Sequence, residues 1–164
     1  MSVARDTADH IPGLRIVRDD LTGPEILALL QLHLDEMHAW SPACSVHAMP
    51  AERLRQPDVT FFAAWDGARL AGCGAIKHLA DDHGELKSMR AAPEYRGRGV
   101  GRAILVHLLA EAKARGYARV SLETGRPPAF LPAQSLYRAY GFEECAAFAD
   151  YVLNDFSMCM TKAL

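Results

Sequence analysis

One stretch constrains this chain more than any other: Tyr95-Arg96-Gly97-Arg98-Gly99-Val100-Gly101-Arg102, glycine-rich and basic. Without side chains in the way, successive backbone N–H groups of such a loop can converge on an anion. From Val100 the apolar positions Ile104, Leu105, Leu108, Leu109 and Ala112 follow at helical spacing, so the loop opens directly into a helix whose positive end adds to the pull. Gly116 then reads as that helix's C-terminal stop. A phosphate cradle and a solvated turn both fit the loop taken alone. No Lys-Ser or Lys-Thr follows the glycines, and Gly97, Gly99 and Gly101 alternate, so neither a Walker loop nor a G-x-G-x-x-G dinucleotide fingerprint fits.

A length of 164 residues with 50% hydrophobic content suits a single domain over residues 13–164, preceded by a polar, flexible segment at 1–12. The formal charge of -2 argues against a nucleic-acid partner and makes the arginine cluster a local feature for a local anion. No apolar run approaches the ~20 residues of a membrane span and the first residues lack a signal peptide's apolar centre, so no membrane partner and a cytoplasmic location are expected. The 4 cysteines show no C-x-x-C spacing and the 7 histidines no ligand spacing, so no metal is expected.

In chain order, Leu14 to Val17 reads as a first strand. Thr22 and Pro24 open a helix that runs to Trp40, where Ser41-Pro42 stops it. Ala51 to Arg55 suits a short second helix. Val59 to Trp65 and Arg69 to Leu79 form a hairpin across Asp66-Gly67, and a turn at Asp81 to Gly84 leads into the strand Glu85 to Ala91. Strict alternation on that strand puts Leu86, Ser88 and Arg90 on one face, with Glu85, Lys87, Met89 and Ala91 on the other. After the loop helix, Ala118 to Glu123 is a strand parallel to it. A helix from Pro132 to Tyr140 and two last strands, near Glu143 to Tyr151 and Phe156 to Lys162, complete the chain.

Arg96-x-x-Gly99-x-Gly101, followed at the expected interval by Leu136-Tyr137-x-x-x-Gly141-Phe142, resembles the two linked signatures of the GNAT superfamily of acetyl-CoA-dependent N-acetyltransferases. The resemblance implies an α/β fold: a twisted mixed sheet of about seven strands, helices on both faces, and fourth and fifth strands splayed to admit the pantetheine arm of acetyl-CoA as cosubstrate. It further implies that backbone groups near Met89, Arg90 and Ala91 pair with that arm, while Arg96, Gly97, Arg98, Gly99, Val100, Gly101 and Arg102 hold the pyrophosphate. Tyr137 matches the family tyrosine that protonates the departing thiolate. Glu85 stands where some members carry a catalytic base. Where many members have Asn after the fifth strand, this chain has Phe130.

His38, Trp40, Ser45 and His47 are the groups before the hairpin that could meet an acceptor, although a solvated histidine or serine and a packing tryptophan are the plain readings. The expected activity is acetyl transfer to the primary amine of a small molecule in a ternary complex. A noncatalytic acyl-CoA-binding module and a protein N-terminal or lysine acetyltransferase are the alternatives, and a homodimer is left open.

Overall fold

A computed structural model describes residues 11–42, 46 and 49–164. Ser45, His47 and residues 1–10 lie outside the described residues. Ile11, placed by sequence in the loose N-terminal segment, is instead buried at 6% exposure and belongs to the core.

The elements follow as β1 (Arg15–Arg18), α1 (Pro24–Trp40), α2 (Ala51–Leu54), β2 (Val59–Asp66), β3 (Arg69–Ala80), β4 (His83–Ala91), α3 (Val100–Ala114), β5 (Arg119–Gly125), α4 (Leu131–Ala139), β6 (Glu143–Cys145) and β7 (Ser157–Ala163). They build one seven-stranded sheet in the order β1-β2-β3-β4-β5-β7-β6. β1 to β4 pair antiparallel: Asp66-Gly67 and Asp81-Asp82 supply the tight turns that join β2, β3 and β4, whereas β1 reaches β2 through α1 and α2. β4 and β5 are parallel, joined by the α3 crossover. Among the described residues no helix is long and apolar enough to cross a membrane.

Three local expectations are corrected. Thr22 does not cap α1: Gly23 occupies that position, and the Thr22 hydroxyl donates instead to Asp20 at 2.6 Å. The strand expected from Glu143 to Tyr151 is paired only over Glu143–Cys145, opposite Cys159 to Thr161, and residues 146–156 form an irregular loop. The alternation along β4 breaks at a bulge. Cys73 pairs with Arg90 but Ala75 pairs with Lys87, so β4 spends one more residue than β3 there, and Ser88 takes φ 53. The extra residue turns Arg90 onto the face that carries Glu85 and Lys87.

α3 lies on the opposite face, unusually close to β3. A Cβ added to Gly72 would stand 2.5 Å from the Arg90 carbonyl oxygen and 2.8 Å from Val100 Cγ1, and one on Gly74 would stand 2.6 Å from Ile104 Cγ2. The absent side chains let Ile104, Leu105 and Leu108, each at most 1% exposed, settle against the sheet. Gly72→Ala meets backbone that cannot rotate away. It should cost about 1–3 kcal/mol, lowering the melting temperature by several degrees; an unshifted melt would contradict this packing.

The β4–β5 ladder is short. It joins His83 to Arg119, Gly84 to Val120 and Glu85 to Ser121, whereas β4 continues to Ala91 and β5 to Gly125. Beyond Glu85 the two strands part, and a cavity of about 870 Å³ opens between them.

Candidate active site

The glycine loop lines this cavity. Gly97 and Gly99 both take positive φ (72° and 80°), and Gly99 is the N-cap of the 15-residue α3, so the turn into the helix is left-handed. No side chain caps the N-terminus of α3, the end of a helix whose N–H groups and dipole attract an anion. Arg96, Gly97, Gly99, Gly101 and Arg102 line the cavity. Arg98 does not: its guanidinium lies 4.9 Å from the centre of the Tyr95 ring. Val100 is also turned away, 1% exposed in the core. A Cβ on Gly101 would touch only Leu136 Cδ2, at 3.6 Å, so the fold has room for a side chain there. Gly101→Glu would therefore keep its melting temperature while setting a carboxylate in the cradle. Its affinity for CoA should fall about 10- to 100-fold, the scale of lost charge-assisted hydrogen bonds; unchanged affinity in a calorimetric titration would rule out phosphate binding there.

Met89, Arg90 and Ala91 line the cavity along the unpaired part of β4, and Leu122 to Gly125 line it from β5. Phe130 lies flat against Gly125, where an added Cβ would be 2.3 Å from its ring. Trp40 meets the same ring edge-on at 5.6 Å between centroids, closing α1 over the cavity. His38 is exposed and does not line it.

α4 brings Tyr137 into the cavity wall. Gln134 donates to the Gly125 carbonyl at 2.7 Å and fixes the start of the helix to the end of β5. Tyr137 is 8% exposed and packs on Phe142 at 5.8 Å, so both aromatic residues of the second motif sit together. Burial, and then the Glu123 charge, push the phenol well above its ordinary range, which keeps its proton in place until a strong base arrives.

Glu85, also in the cavity lining and 2% exposed, accepts from Lys87 Nζ at 3.0 Å and from the Tyr151 hydroxyl. Lys87 also donates to that hydroxyl at 2.7 Å. Arg90 is tied to Glu36 of α1, and Arg96 donates to the same carboxylate at 3.0 Å. Burial works against the Glu36 charge, but the two guanidinium partners win and hold its carboxyl below the usual range. His33 accepts from Arg90 at 3.4 Å through Nδ1, since a guanidinium can only donate. Burial, with the Arg90 charge second, lowers His33 from 6.5 to about 4, so the imidazole is neutral at physiological pH.

The sign of the resulting pH dependence is fixed. The unfolded chain takes up the His33 proton near 6.5 and the folded chain near 4, so this group erodes stability as pH falls through that interval and does nothing above it. His33→Gln should flatten the decline of melting temperature over that interval relative to the parent protein. Parallel curves would show that His33 titrates normally.

Lys87, Tyr151, Glu36 and His33 were not among the sequence candidates. Lys87 alone had a local signal, its i,i+2 position on the strand of Glu85.

These features have counterparts in known proteins. Residues 26–142 match the family model described as the acetyltransferase (GNAT) family. The chain is 47% identical over 151 residues to the uncharacterized N-acetyltransferase YsnE of Bacillus subtilis, covering 92% of this chain and 100% of that one. It is also 47% identical over 149 residues to the uncharacterized N-acetyltransferase YedL of Escherichia coli, covering 91% and 94%. A solved structure from Klebsiella pneumoniae, provisionally described as an acyl-CoA N-acyltransferase, superposes with a TM-score of 0.74 at 28% identity over 93% of this chain and 98% of that one. With its splayed sheet, glycine loop and Leu-Tyr helix in the family's order, this chain belongs to the GNAT family of acetyltransferases.

Proposed function

We propose that the protein transfers an acetyl group from acetyl-CoA directly to the primary amine of a small molecule within one ternary complex. The observation that carries this reading is the parting of β4 from β5 after Glu85 and Ser121, which joins the glycine cradle, Tyr137 and Glu85 in a single cavity. The unpaired edge of β4 at Met89 to Ala91 suits an extended amide chain added as a missing strand. Arg96, Arg102 and the N–H groups at the start of α3 hold the diphosphate. Backbone N–H near Met89 or Arg90, re-aimed by the bulge at Ser88, polarises the acetyl carbonyl.

Two proton tasks remain. The acceptor must lose a proton to become nucleophilic, which Glu85 receives. The thiolate must gain one, which Tyr137 supplies. Among the described cysteines a covalent route is disfavoured: Cys73, Cys145 and Cys159 do not line the cavity, and burial raises the thiols of Cys73 and Cys159 to about 12 and about 11. A small acceptor fits the aromatic closure by Trp40 and Phe130 better than an open peptide groove does.

Initial rates of thiol release with both substrates varied should give intersecting lines. Parallel lines would mean an acyl-enzyme and overturn direct transfer. Turnover with peptide amines but with no small amine would overturn the acceptor class.

A further inference from the structure

We propose that Tyr151 is the group through which the acceptor hands its proton to Glu85, an inference that rests on the transfer reaction above. Glu85 lines the cavity, but its side chain is only 3% exposed, with Lys87 at 6% beside it, so little of the carboxylate is open to an acceptor. The Tyr151 hydroxyl covers it. That hydroxyl donates to Glu85 Oε2 and accepts from Lys87 Nζ at 2.7 Å, while its ring lies in the cavity wall. Its placement is braced: Phe148 meets the ring at 5.1 Å, and Lys87 Nζ stands 5.4 Å from the ring centre.

An acceptor ammonium reaching the acetyl carbon therefore meets Tyr151 before Glu85. Its N–H proton passes to the Tyr151 oxygen as the Tyr151 proton passes to Glu85 Oε2, leaving a neutral amine, an intact phenol and a neutral carboxyl group. The amine then forms the C–N bond as the C–S bond breaks. The second nitrogen proton replaces the one Tyr137 gives to the thiolate, and the proton on Glu85 leaves to solvent with product. No group is oxidised or reduced.

A relay is needed only while the acceptor arrives protonated, which sets it apart from a packing residue. With a primary alkylamine, Tyr151→Phe should lower kcat about 10- to 100-fold near neutral pH, with KM for acetyl-CoA unchanged and a melting temperature lower by no more than the few degrees that the lost buried hydrogen bonds cost. The deficit should close to less than about threefold as pH approaches the amine's own pKa near 10. A loss that is the same at every pH, or no loss at neutral pH, would overturn the relay. Should the variant melt early, the parent enzyme decides: two protons in flight give a curved dependence of rate on deuterium fraction near neutral pH, and a straight line would overturn the proposal. Failure of the underlying reaction would look different, as no thiol release from the parent protein with any amine.

Discussion

Tyr137→Phe is expected to lower turnover about 10²-fold or more, the scale of a lost general acid. The substitution keeps the ring that packs on Phe142 at 5.8 Å and removes only the hydroxyl of this cavity-lining residue. Because Tyr137 is 8% exposed and its phenol is held protonated by burial, the proton it would give has no ready substitute in bulk water. Acetyl-CoA affinity and melting temperature should change little, which single-turnover kinetics and a thermal melt check together. Near-native turnover in the chemical step would exclude the acid role, and a matching collapse of stability would place Tyr137 in the scaffold instead.

Glu85→Gln is expected to do two things at once. Removing the base should lower turnover about 10²-fold at neutral pH. It should also destabilise the fold by about 3–5 kcal/mol, because Lys87, its side chain 6% exposed, would keep a buried charge without its carboxylate partner. For a domain of this size that is a fall in melting temperature on the order of 10 °C. Coupling the change with Lys87→Met separates the two effects: replacing both charges with groups of similar volume should recover most of the melting temperature and none of the turnover. Recovery of activity along with stability would mean that the ion pair only holds β4 in place.

What the sequence made legible was local. The glycine loop and α3 could be read because Gly97, Gly99 and Gly101 and the apolar positions from Val100 to Ala112 lie within a few turns of one another. The Leu136 to Phe142 signature was equally compact, and it predicted α4 and its Gly141 stop, which has φ 91. The β4 bulge was not legible, since Ser88 adopts its left-handed conformation without the glycine that would signal it. Arg90 was accordingly assigned to the wrong face. The polar network was hidden for another reason: Tyr151 reaches Glu85 across 66 residues, and Arg90 and Arg96 reach Glu36 across 54 and 60. Such contacts exist only once the sheet is assembled, and no periodicity encodes them. Thr22 illustrates a third limit, because a hydroxyl with two nearby uses took the Asp20 carboxylate over the helix end.

The central claim is tested most directly by following CoA thiol release from acetyl-CoA by the parent protein over a panel of small primary amines, with mass spectrometry of the amine. Release should depend on and saturate with both substrates, yield one acetylated amine per thiol, and be lost in Tyr137→Phe. Thiol release at the same rate with and without amine, and no acetylated product, would contradict it.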